Sequence, residues 1–342
     1  MIPKDSRIVV AGTGSIGCYT GGLLAAAGKH VTFLARPRVE AEMRQSGLKV
    51  VDLDGTERTV PADQLSVTSD PATAFDHART ILVAVKSGAT EEMAGLITQH
   101  APADCIVVSL QNGVGNADIL RKSLPATMTI VAGMVPFNVV QSEAGQLPLT
   151  VRRTTQGTVL VDNNVAGLAD FLTAPGLAVS ENDDMQGILW GKLQMNLNNA
   201  LNALSNLPLA TQLAERDWRV LLADQMGEAL KVMKAHGIKA APVQGVSPAV
   251  LPWVLRLPDF LFRIVARKML AIDPRARSSM WEDFSRGRAT EIDYLQGVIV
   301  RLGDEKNVKT PIARKVIACV KQAEGQPIRC HPVAEIRQKT VL

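Results

Sequence analysis

Short apolar runs alternate with more polar stretches between residues 7 and 135, and several of those stretches are long enough for a helix. The runs are rich in valine, isoleucine and leucine, which are typical of buried strands. We predict strands at residues 7–12, 30–36, 80–86, 105–111 and 129–135. Strands of this kind alternating with helices are typical of a parallel sheet covered on both faces. The pattern therefore predicts a doubly wound α/β fold for this region.

Three further segments contain strand-like patterns outside that alternation. Residues 47–62 include Asp54 and Gly55, a dipeptide typical of tight turns, and predict a hairpin inserted into the α/β region. Residues 157–163 and 176–182 each predict one more strand. The β-rich part of the chain therefore extends to about residue 182.

The pattern changes after Glu181, where an acidic stretch is followed by long helical periodicity. A proline-rich apolar stretch occupies residues 241–275. Helices are predicted at residues 183–237, with a break near Asn206–Pro208, at 278–305 and at 311–325. We predict a domain boundary near residue 183, with an α/β domain in residues 1–183 and an all-helical domain in residues 184–342.

Composition narrows the class of protein. The chain has 342 residues, 46% hydrophobic and 20% charged, as in soluble proteins of about two domains. A net charge of +4 is too small to indicate nucleic-acid binding. No signal peptide or membrane-spanning run is evident, so we expect a cytoplasmic protein without a membrane partner. Its four cysteines show no zinc-site spacing, so we expect free thiols and no metal.

A glycine-rich turn follows the first predicted strand and opens a predicted helix. Gly12, Gly14 and Gly17 form the pattern GxGxxG, with Ser15 and Ile16 inside it. In dinucleotide-binding folds the first glycine permits the turn, the second admits the pyrophosphate, and the third lets helix and strand pack closely. The helix N-terminus then faces the phosphates with unpaired N–H groups. These five residues are therefore candidate cofactor-binding residues, because the motif has its expected context.

The end of the second predicted strand indicates which dinucleotide is bound. NAD sites usually carry an acidic residue there, whereas this chain has Arg36 and Arg38. A guanidinium group can pair with the 2′-phosphate of NADP, which a carboxylate would repel. Exposure to solvent alone explains Arg38 better than Arg36. The sequence therefore favours NADP, with Arg36 as its contact.

Two other predicted strands end in polar residues, Lys86 after one and Asn112 followed by Gly113 after the other. Ligands of open α/β sheets lie outside the carboxyl ends of the strands, so both are candidates for contact with the cofactor. The alternative is ordinary loop chemistry, because asparagine–glycine pairs favour turns and lysines after strands are often solvated.

In the helical half, Lys192 and Asn196 are four residues apart and share a helix face. Four asparagines occur within seven residues, although asparagine is a mediocre helix former. They are Asn196, Asn198, Asn199 and Asn202. They make polar contacts between helices, cap nearby turns, or form a buried polar stripe facing a substrate.

A third cluster contains Ser279, Glu291 and Asp293 within the predicted helix 278–305. Ser279 and Glu291 are twelve residues apart, so a straight helix would bring them only loosely to one side. Taken alone, each of the three residues fits an ordinary exposed helix position.

Taken together, these motifs resemble the ketopantoate reductase (2-dehydropantoate 2-reductase) family over about residues 7–325. The matching motifs are GxGxxG at 12–17, Lys86, QNG at 111–113, WxKLxxN at 190–196, SSM at 278–280 and TEIDY at 290–294. The resemblance implies an N-terminal Rossmann domain and a C-terminal all-α domain of the 6-phosphogluconate-dehydrogenase type. It also implies NADPH in the cleft between them and reduction of ketopantoate to (R)-pantoate.

The resemblance also implies residue roles. Lys192 matches the catalytic lysine that donates a proton to the carbonyl oxygen, and Glu291 the glutamate that contacts substrate and lysine. Asn112, Asn196 and Ser279 match substrate-binding positions, and Asn112 lies near the nicotinamide as well. Arg36 matches the 2′-phosphate arginine and Lys86 a cofactor-contacting lysine.

The chain departs from the family pattern in two places. Relatives often carry another asparagine eight positions after the lysine, where this chain has Ala200, so either Asn199 replaces it or the contact is absent. Residues 241–277 form a longer, more apolar segment than expected, which leaves a lid, a pocket wall, a peripheral helix pair and a homodimer surface open.

Two other functions also remain open. One is an NADPH-dependent reductase of a different, bulkier 2-oxo acid, with residues 241–277 reshaping the pocket. The other is a non-catalytic NADP-sensing protein. The presence of both Lys192 and Glu291 argues against the sensor, because a sensor needs no proton donor.

Overall fold

A computed structural model describes residues 2–3, 5–243, 245–267 and 276–337 of the chain. The chain divides into two compact units, Met1–Met185 and Gln186–Leu342. The boundary predicted near residue 183 lies two residues before that division.

The described residues of the N-terminal unit form twelve strands and six α-helices. The strands are β1 (Ile8–Ala11), β2 (Val31–Leu34), β3 (Leu48–Val51), β4 (Glu57–Val60), β5 (Ser66–Thr68), β6 (Thr80–Val83), β7 (Ile106–Ser109), β8 (Thr129–Met134), β9 (Val139–Gln141), β10 (Leu149–Arg153), β11 (Val159–Asp162) and β12 (Val179–Asn182). The helices are α1 (Ser15–Ala26), α2 (Pro37–Ser46), α3 (Pro71–Phe75), α4 (Thr90–His100), α5 (Asn116–Ser123) and α6 (Leu168–Leu172).

Eight of these strands form one sheet in the order β12-β11-β8-β7-β6-β1-β2-β5. The six strands from β8 to β5 pair in parallel and follow the Rossmann order of two halves wound outward from β1. Every residue of β1, β2, β6 and β7 is buried, as expected for a sheet covered on both faces. The predicted doubly wound fold is confirmed. Its all-parallel form is interrupted where β11 pairs antiparallel to β8.

A second sheet has the order β4-β3-β10-β9. The predicted hairpin supplies its antiparallel strands β3 and β4. Strands β5, β9 and β10 were not predicted, because they are short and alternate between buried and exposed positions too briefly to give a signal.

Helix α1 lies between the two sheets, and two glycines permit this close packing. A Cβ on Gly21 would meet the Phe33 ring at 2.6 Å, and one on Gly22 would meet Val50 at 2.6 Å. The helix that follows the glycine turn is therefore fixed on both sides.

The helical unit is built from α7 to α16. These helices are α7 (Met185–Asn196), α8 (Asn198–Ser205), α9 (Leu209–Ala214), α10 (Arg216–Ala235), α11 (Leu251–Arg256), α12 (Asp259–Val265), α13 (Ser279–Ser285), α14 (Ile292–Glu305), α15 (Pro311–Ala323) and α16 (Val333–Arg337). The predicted break near Asn206–Pro208 is confirmed, because Asn206 ends α8 in the left-handed conformation with φ of 52°. The predicted helix at 311–325 is present as α15.

The prediction of one helix over residues 278–305 is wrong. Helix α13 ends at Ser285, Gly287 turns the chain with φ of 58°, and α14 begins at Ile292. Glycine accepts this backbone conformation without the strain that a side chain would add. Ser279 and Glu291 therefore belong to different helices, and their spacing along a straight helix has no meaning.

The apolar segment 241–277 contains the short helices α11 and α12, and its residues 268–275 lie outside the described part of the chain. Across the described residues, no helix has the length and apolar character needed to span a membrane. The same residues contain no cluster of histidine, cysteine or acidic side chains suited to a metal ion.

Candidate functional site

The glycine turn joins β1 to α1, and two of its glycines are required by close backbone contacts. Gly12 has φ of 111°, and a Cβ there would lie 2.9 Å from the backbone nitrogen of Val85. A Cβ on Gly17 would lie 2.0 Å from the carbonyl oxygen of Gly12. Real Cβ atoms do not approach backbone this closely, so Gly12 makes the turn and Gly17 brings the helix against it.

Gly14 is different, because no described residue requires it to be glycine. Its φ is −75°, and a Cβ there would meet no described atom closer than 3.9 Å. Gly14 is the N-cap of α1, which has no side-chain cap and no acidic residue in its first turn. Unpaired N–H groups beside open space fit the pyrophosphate of a dinucleotide. Ser15 and Ile16 form the first turn of that helix.

The two arginines after β2 have different surroundings. Arg38 is bonded to Glu42 through a 2.6 Å ion pair within α2. Arg36 is exposed at the N-cap of the same helix, and its side chain has no hydrogen bond or ion pair with a described residue. A guanidinium group at this position suits a phosphate ligand.

Lys86 and Asn112 follow the adjacent strands β6 and β7, and a polar network joins their loops. The backbone oxygen of Asn112 accepts a hydrogen bond from Ser87 Oγ at 2.9 Å and another from Asn116 Nδ2 at 2.7 Å. Thr90 Oγ1 in turn donates to Ser87 O at 2.7 Å. The loops that carry Lys86 and Asn112 are therefore fixed to each other.

Sequence reasoning missed this network. Ser87, Thr90 and Asn116 are all buried, and Gln111 Nε2 also donates to Thr90 Oγ1 at 2.7 Å. Their signal was a set of small polar residues placed directly after two apolar strands. Buried polar groups in this arrangement need partners, and here they partner one another.

The sheet order brings four candidate positions to one edge. Strands β7, β6, β1 and β2 are consecutive and parallel, so their carboxyl ends lie side by side. Asn112, Lys86, the glycine turn and Arg36 follow those four ends in the same order. This edge is where nucleotides bind in open α/β sheets.

In the helical unit, Lys192 lies in α7 and Glu291 is the N-cap residue of α14. Burial lowers the pKa of Lys192 from 10.5 to about 8, and the negative charge of Glu291 opposes that change. The residue before Glu291 is fixed to the end of α15, because Thr290 donates through both its nitrogen and its hydroxyl to Glu324, at 3.0 and 2.6 Å. A partly buried ammonium beside a carboxylate is suited to proton transfer near neutral pH.

A glycine that the sequence analysis did not identify explains part of this burial. A Cβ on Gly191 would lie 2.2 Å from the carbonyl oxygen of Ala241. The nitrogen of Ala241 also donates to the carbonyl oxygen of Gly187 at 2.8 Å. The start of the apolar segment therefore packs on the turn of α7 that carries Lys192.

Two of the four clustered asparagines are structural. Asn202 is buried and donates to Gln212 Oε1 at 3.0 Å, and its Oδ1 accepts from the nitrogen of Ser278 at 2.9 Å. Asn198 accepts from Gln212 Nε2 at 2.9 Å. These contacts connect α8, α9 and the start of α13, as contacts between helices require.

The other two asparagines lie with the candidate site. Asn196 is the half-buried last residue of α7, one turn beyond Lys192. Asn199 Nδ2 lies 3.5 Å from the hydroxyl of Ser279, which is exposed at the start of α13. Ala200, in contrast, is fully buried. Asn199, and not residue 200, therefore reaches the serine.

Asp293, the remaining candidate, does not join this group. It is exposed and forms a 2.8 Å ion pair with Lys321 of α15. An exposed pair between two helices contributes little beyond local stability.

Comparison with known proteins gives two family matches that follow each other along the chain. A family model described as ketopantoate reductase PanE/ApbA matches residues 8–164. Its C-terminal counterpart matches residues 184–324. The 2-dehydropantoate 2-reductase of Halobacterium salinarum is 30% identical over 327 residues, which cover 93% of this chain and 99% of that protein.

Solved structures agree with these matches. A PanE/ApbA family ketopantoate reductase from Ralstonia eutropha JMP134 has a TM-score of 0.77 and 32% identity, covering 93% of this chain and 98% of that one. A D-mandelate dehydrogenase solved with NADH and anilino(oxo)acetate has a TM-score of 0.76 and 23% identity over the same shares, which shows a common fold. The resemblance found in the motifs is confirmed: the chain belongs to the ketopantoate reductases, a family of oxidoreductases that use a nicotinamide cofactor.

Proposed function

We propose that this enzyme reduces 2-dehydropantoate to (R)-pantoate with NADPH, and that Lys192 donates the proton. The observation that carries the proposal is the lysine itself. Burial lowers the pKa of Lys192 to about 8, and the negative charge of Glu291 opposes this change. The lysine is therefore mostly protonated at neutral pH. Lys192 is thus protonated before the reaction yet acidic enough to release its proton.

The preference for NADPH rests on Arg36. It has no partner among the described residues, whereas Arg38 is paired with Glu42. We assign the 2′-phosphate to Arg36, the pyrophosphate to residues 12–17 at the start of α1, and a further cofactor contact to Lys86.

When bound, a reduced nicotinamide would supply the hydride for reduction of the C2 carbonyl of the 2-oxo acid. Negative charge then develops on the carbonyl oxygen, and the Lys192 ammonium stabilises that charge and donates a proton to it. Glu291 orients the ammonium group and accepts a hydrogen bond from a substrate hydroxyl. The negative charge of Glu291 also offsets part of the decrease in the pKa of Lys192 that burial causes.

We assign substrate binding to Asn112, Asn196 and Ser279, and add Asn199 to this set. The contact of Asn199 with Ser279 supports the addition, as does the burial of Ala200. Asn199 then performs the role that another asparagine has in relatives.

Three broader assignments accompany this function. Residues 1–183 act as the NADP-binding domain, and residues 184–342 supply the catalytic groups. The enzyme works in the cytoplasm, consistent with cysteines that are all free in the structure. It acts on a small-molecule 2-oxo acid and assembles as a homodimer.

The test is steady-state NADPH oxidation by purified enzyme with ketopantoate and a panel of other 2-oxo acids. We expect the highest kcat/KM for ketopantoate and (R)-pantoate as the product on chiral chromatography. A different preferred acid with the same dependence on Lys192 would contradict the substrate and keep the mechanism.

The second candidate is an NADPH-dependent reductase of a bulkier 2-oxo acid. The observation that favours it is the position of the apolar segment 241–277, since its first residue, Ala241, packs on the turn of α7 that carries Lys192. The panel therefore includes branched and aromatic 2-oxo acids. A kcat/KM for one of them well above that for ketopantoate would select this candidate.

A further inference from the structure

The outer face of α11 and α12 is unusually apolar. Of nine large apolar side chains exposed among the described residues, six fall within residues 250–265. The three most exposed are Trp253 at 75%, Ile264 at 70% and Phe260 at 66%. Such a cluster is rare on the surface of a monomer and marks an interaction surface. We call these six residues the apolar face; they are Val250, Trp253, Phe260, Leu261, Ile264 and Val265.

The helices that carry this face are firmly held from within, so the exposure reflects a fixed surface. Arg219 is fully buried and donates to the carbonyl oxygens of Leu255 and Leu257 at 3.2 and 3.3 Å. It also bonds to Asp259 at 2.5 Å and stacks on the ring of Phe262. One buried guanidinium therefore joins the end of α11 to the start of α12.

The periodicity of α12 shows the same orientation. Phe262 and Ala266, four residues apart, are buried. The pair Phe260 and Ile264 points the opposite way and is exposed. The buried face of α12 is therefore already satisfied, and the exposed apolar stripe has no partner among the described residues.

The size of the apolar face suits a protein partner. Taking each exposed fraction of a full side-chain area of about 150–250 Å², the six residues expose on the order of 700 Å². A stable interface needs about 800 Å² from each partner. The apolar face alone therefore supplies most of the area that one partner contributes to such an interface, without any polar rim.

The charges on α12 indicate what that partner is. Asp259 lies at its first position, while Arg263 lies near its end and Arg267 follows it, all three exposed. Asp259 bonds to Arg219 of its own chain, but its side chain remains 55% exposed. In two copies of α12 packed antiparallel about a two-fold axis, each Asp259 can therefore also face Arg267 of the other copy. The face is thus complementary to itself, as a symmetric dimer requires.

We propose that the apolar face of α11 and α12 is the surface through which two copies of this chain form a dimer. The inference rests on the homodimer in the proposed function and specifies where it forms. An anionic membrane is the competing occupant, because Arg263 and Arg267 would attract it while Asp259 would repel it.

The first test is sedimentation velocity from nanomolar to tens of micromolar protein. We expect a dimer for the wild type, and a dimer dissociation constant at least ~100-fold higher for the double variant Phe260→Ser with Ile264→Ser, because interface anchors carry most of the binding energy. Arg267→Glu should weaken the dimer ~10-fold by facing Asp259 with a like charge. Leu53→Ser and Lys122→Glu, exposed residues of the N-terminal unit, are the matched controls.

A second readout needs no destabilising variant. All four tryptophans are described, and Trp253 is the exposed one, while Trp190 and Trp218 are buried and Trp281 is half-buried. Dimer formation should bury Trp253, so dilution of the wild type should shift its emission to longer wavelength. Trp253→Phe should remove that shift.

The outcomes distinguish the proposed homodimer from its proposed location on the apolar face. A wild type that stays monomeric contradicts the homodimer itself, and vesicle binding by that monomer would assign the face to membranes. A dimer that the double variant leaves intact contradicts this surface alone. NADPH oxidation measured on the same samples reports the proposed reaction independently of either result.

Discussion

The two units hold their candidate site residues by different means. In the N-terminal unit, the positions follow four neighbouring strand ends, and backbone contacts at Gly12 and Gly17 fix the turn. In the helical unit, Lys192, Asn199, Ser279 and Glu291 come from four different helices or their caps. Buried amides such as Asn202 and Gln212 connect the helices there.

This difference has a consequence for mutation. In the N-terminal unit, where backbone contacts fix the candidate site residues, a substitution that adds a methyl group against the backbone should disrupt the site. Where side chains make the site, each can be removed with little effect on the fold, provided that the amides beneath it remain. Variants in both units test this difference between backbone-made and side-chain-made positions.

The largest effect should follow from Lys192→Ala. Loss of the proton donor should lower kcat by ~10³-fold or more, because positioned acids contribute 10²–10⁴-fold and the ammonium also stabilises charge. NADPH affinity, measured by fluorescence titration, should stay within a few-fold of the wild type. Lys234→Ala, an exposed lysine of α10, is the control and should behave as the wild type. Near-normal turnover without Lys192 would remove it from the mechanism.

The glycine turn allows effects on backbone packing to be separated from effects on cofactor binding. Gly17→Ala places a methyl group against Gly12 O, so we expect a loss of more than about 3 kcal/mol in the free energy of unfolding. Gly14→Ala meets no described atom within 3.9 Å. It should cost under about 1 kcal/mol of stability, yet weaken NADPH at least ~10-fold. Calorimetry and cofactor titration on both variants check this, and equal unfolding losses would contradict it.

Arg36→Ala should weaken NADPH by ~10–100-fold and leave NADH almost unchanged, because an arginine–phosphate contact is charge-assisted. Arg38→Ala is the matched control, since its guanidinium is engaged by Glu42. Titration of both cofactors with both variants gives the answer. Equal weakening of NADPH and NADH by Arg36→Ala would show that the residue does not read the 2′-phosphate.

Most of the N-terminal fold could be predicted from the sequence because its signals are local. A buried parallel strand is a continuous apolar run, and the glycine turn has a fixed spacing. Strand β10 lacks such a signal, since it joins β3 from about 100 residues away in sequence. The polar network of Ser87 and Asn116 was missed for the same reason: its partners meet only once the strands are paired.

In the helical unit, periodicity predicted helices but not their ends. Gly287 divides residues 278–305 into α13 and α14, a break that the helical pattern on both sides conceals. The sequence shows the asparagine run, but its division into structural and site residues depends on contacts with Gln212 in the next helix and with Ser279, 80 residues away. The candidate roles of Lys192 and Glu291 came from family resemblance, because helical spacing alone does not pair residues from two helices.

The asparagine run provides a smaller test within one helix. Asn199→Ala should raise KM for the 2-oxo acid by ~10-fold with little change in melting temperature, because the residue is not part of the core. Asn202→Ala should lower the melting temperature and change KM little. It removes one hydrogen-bond partner from each of two buried groups, the nitrogen of Ser278 and Gln212 Oε1. Steady-state kinetics and thermal unfolding on the two variants distinguish these roles, and destabilisation by Asn199→Ala would assign that residue to the fold.

The smallest effect is a displacement along the pH axis. Reduction needs Lys192 protonated, so kcat/KM should be constant below its pKa of about 8 and fall tenfold per pH unit above it. Glu291 raises that pKa, so Glu291→Gln should move the falling limb to lower pH by about one unit or less, besides lowering the rate. Asp293→Asn, two residues along and paired with Lys321, should leave the limb in place. A limb that stays fixed in Glu291→Gln, or moves to higher pH, would show that this carboxylate does not act on the lysine. Burial alone would then set the pKa of Lys192.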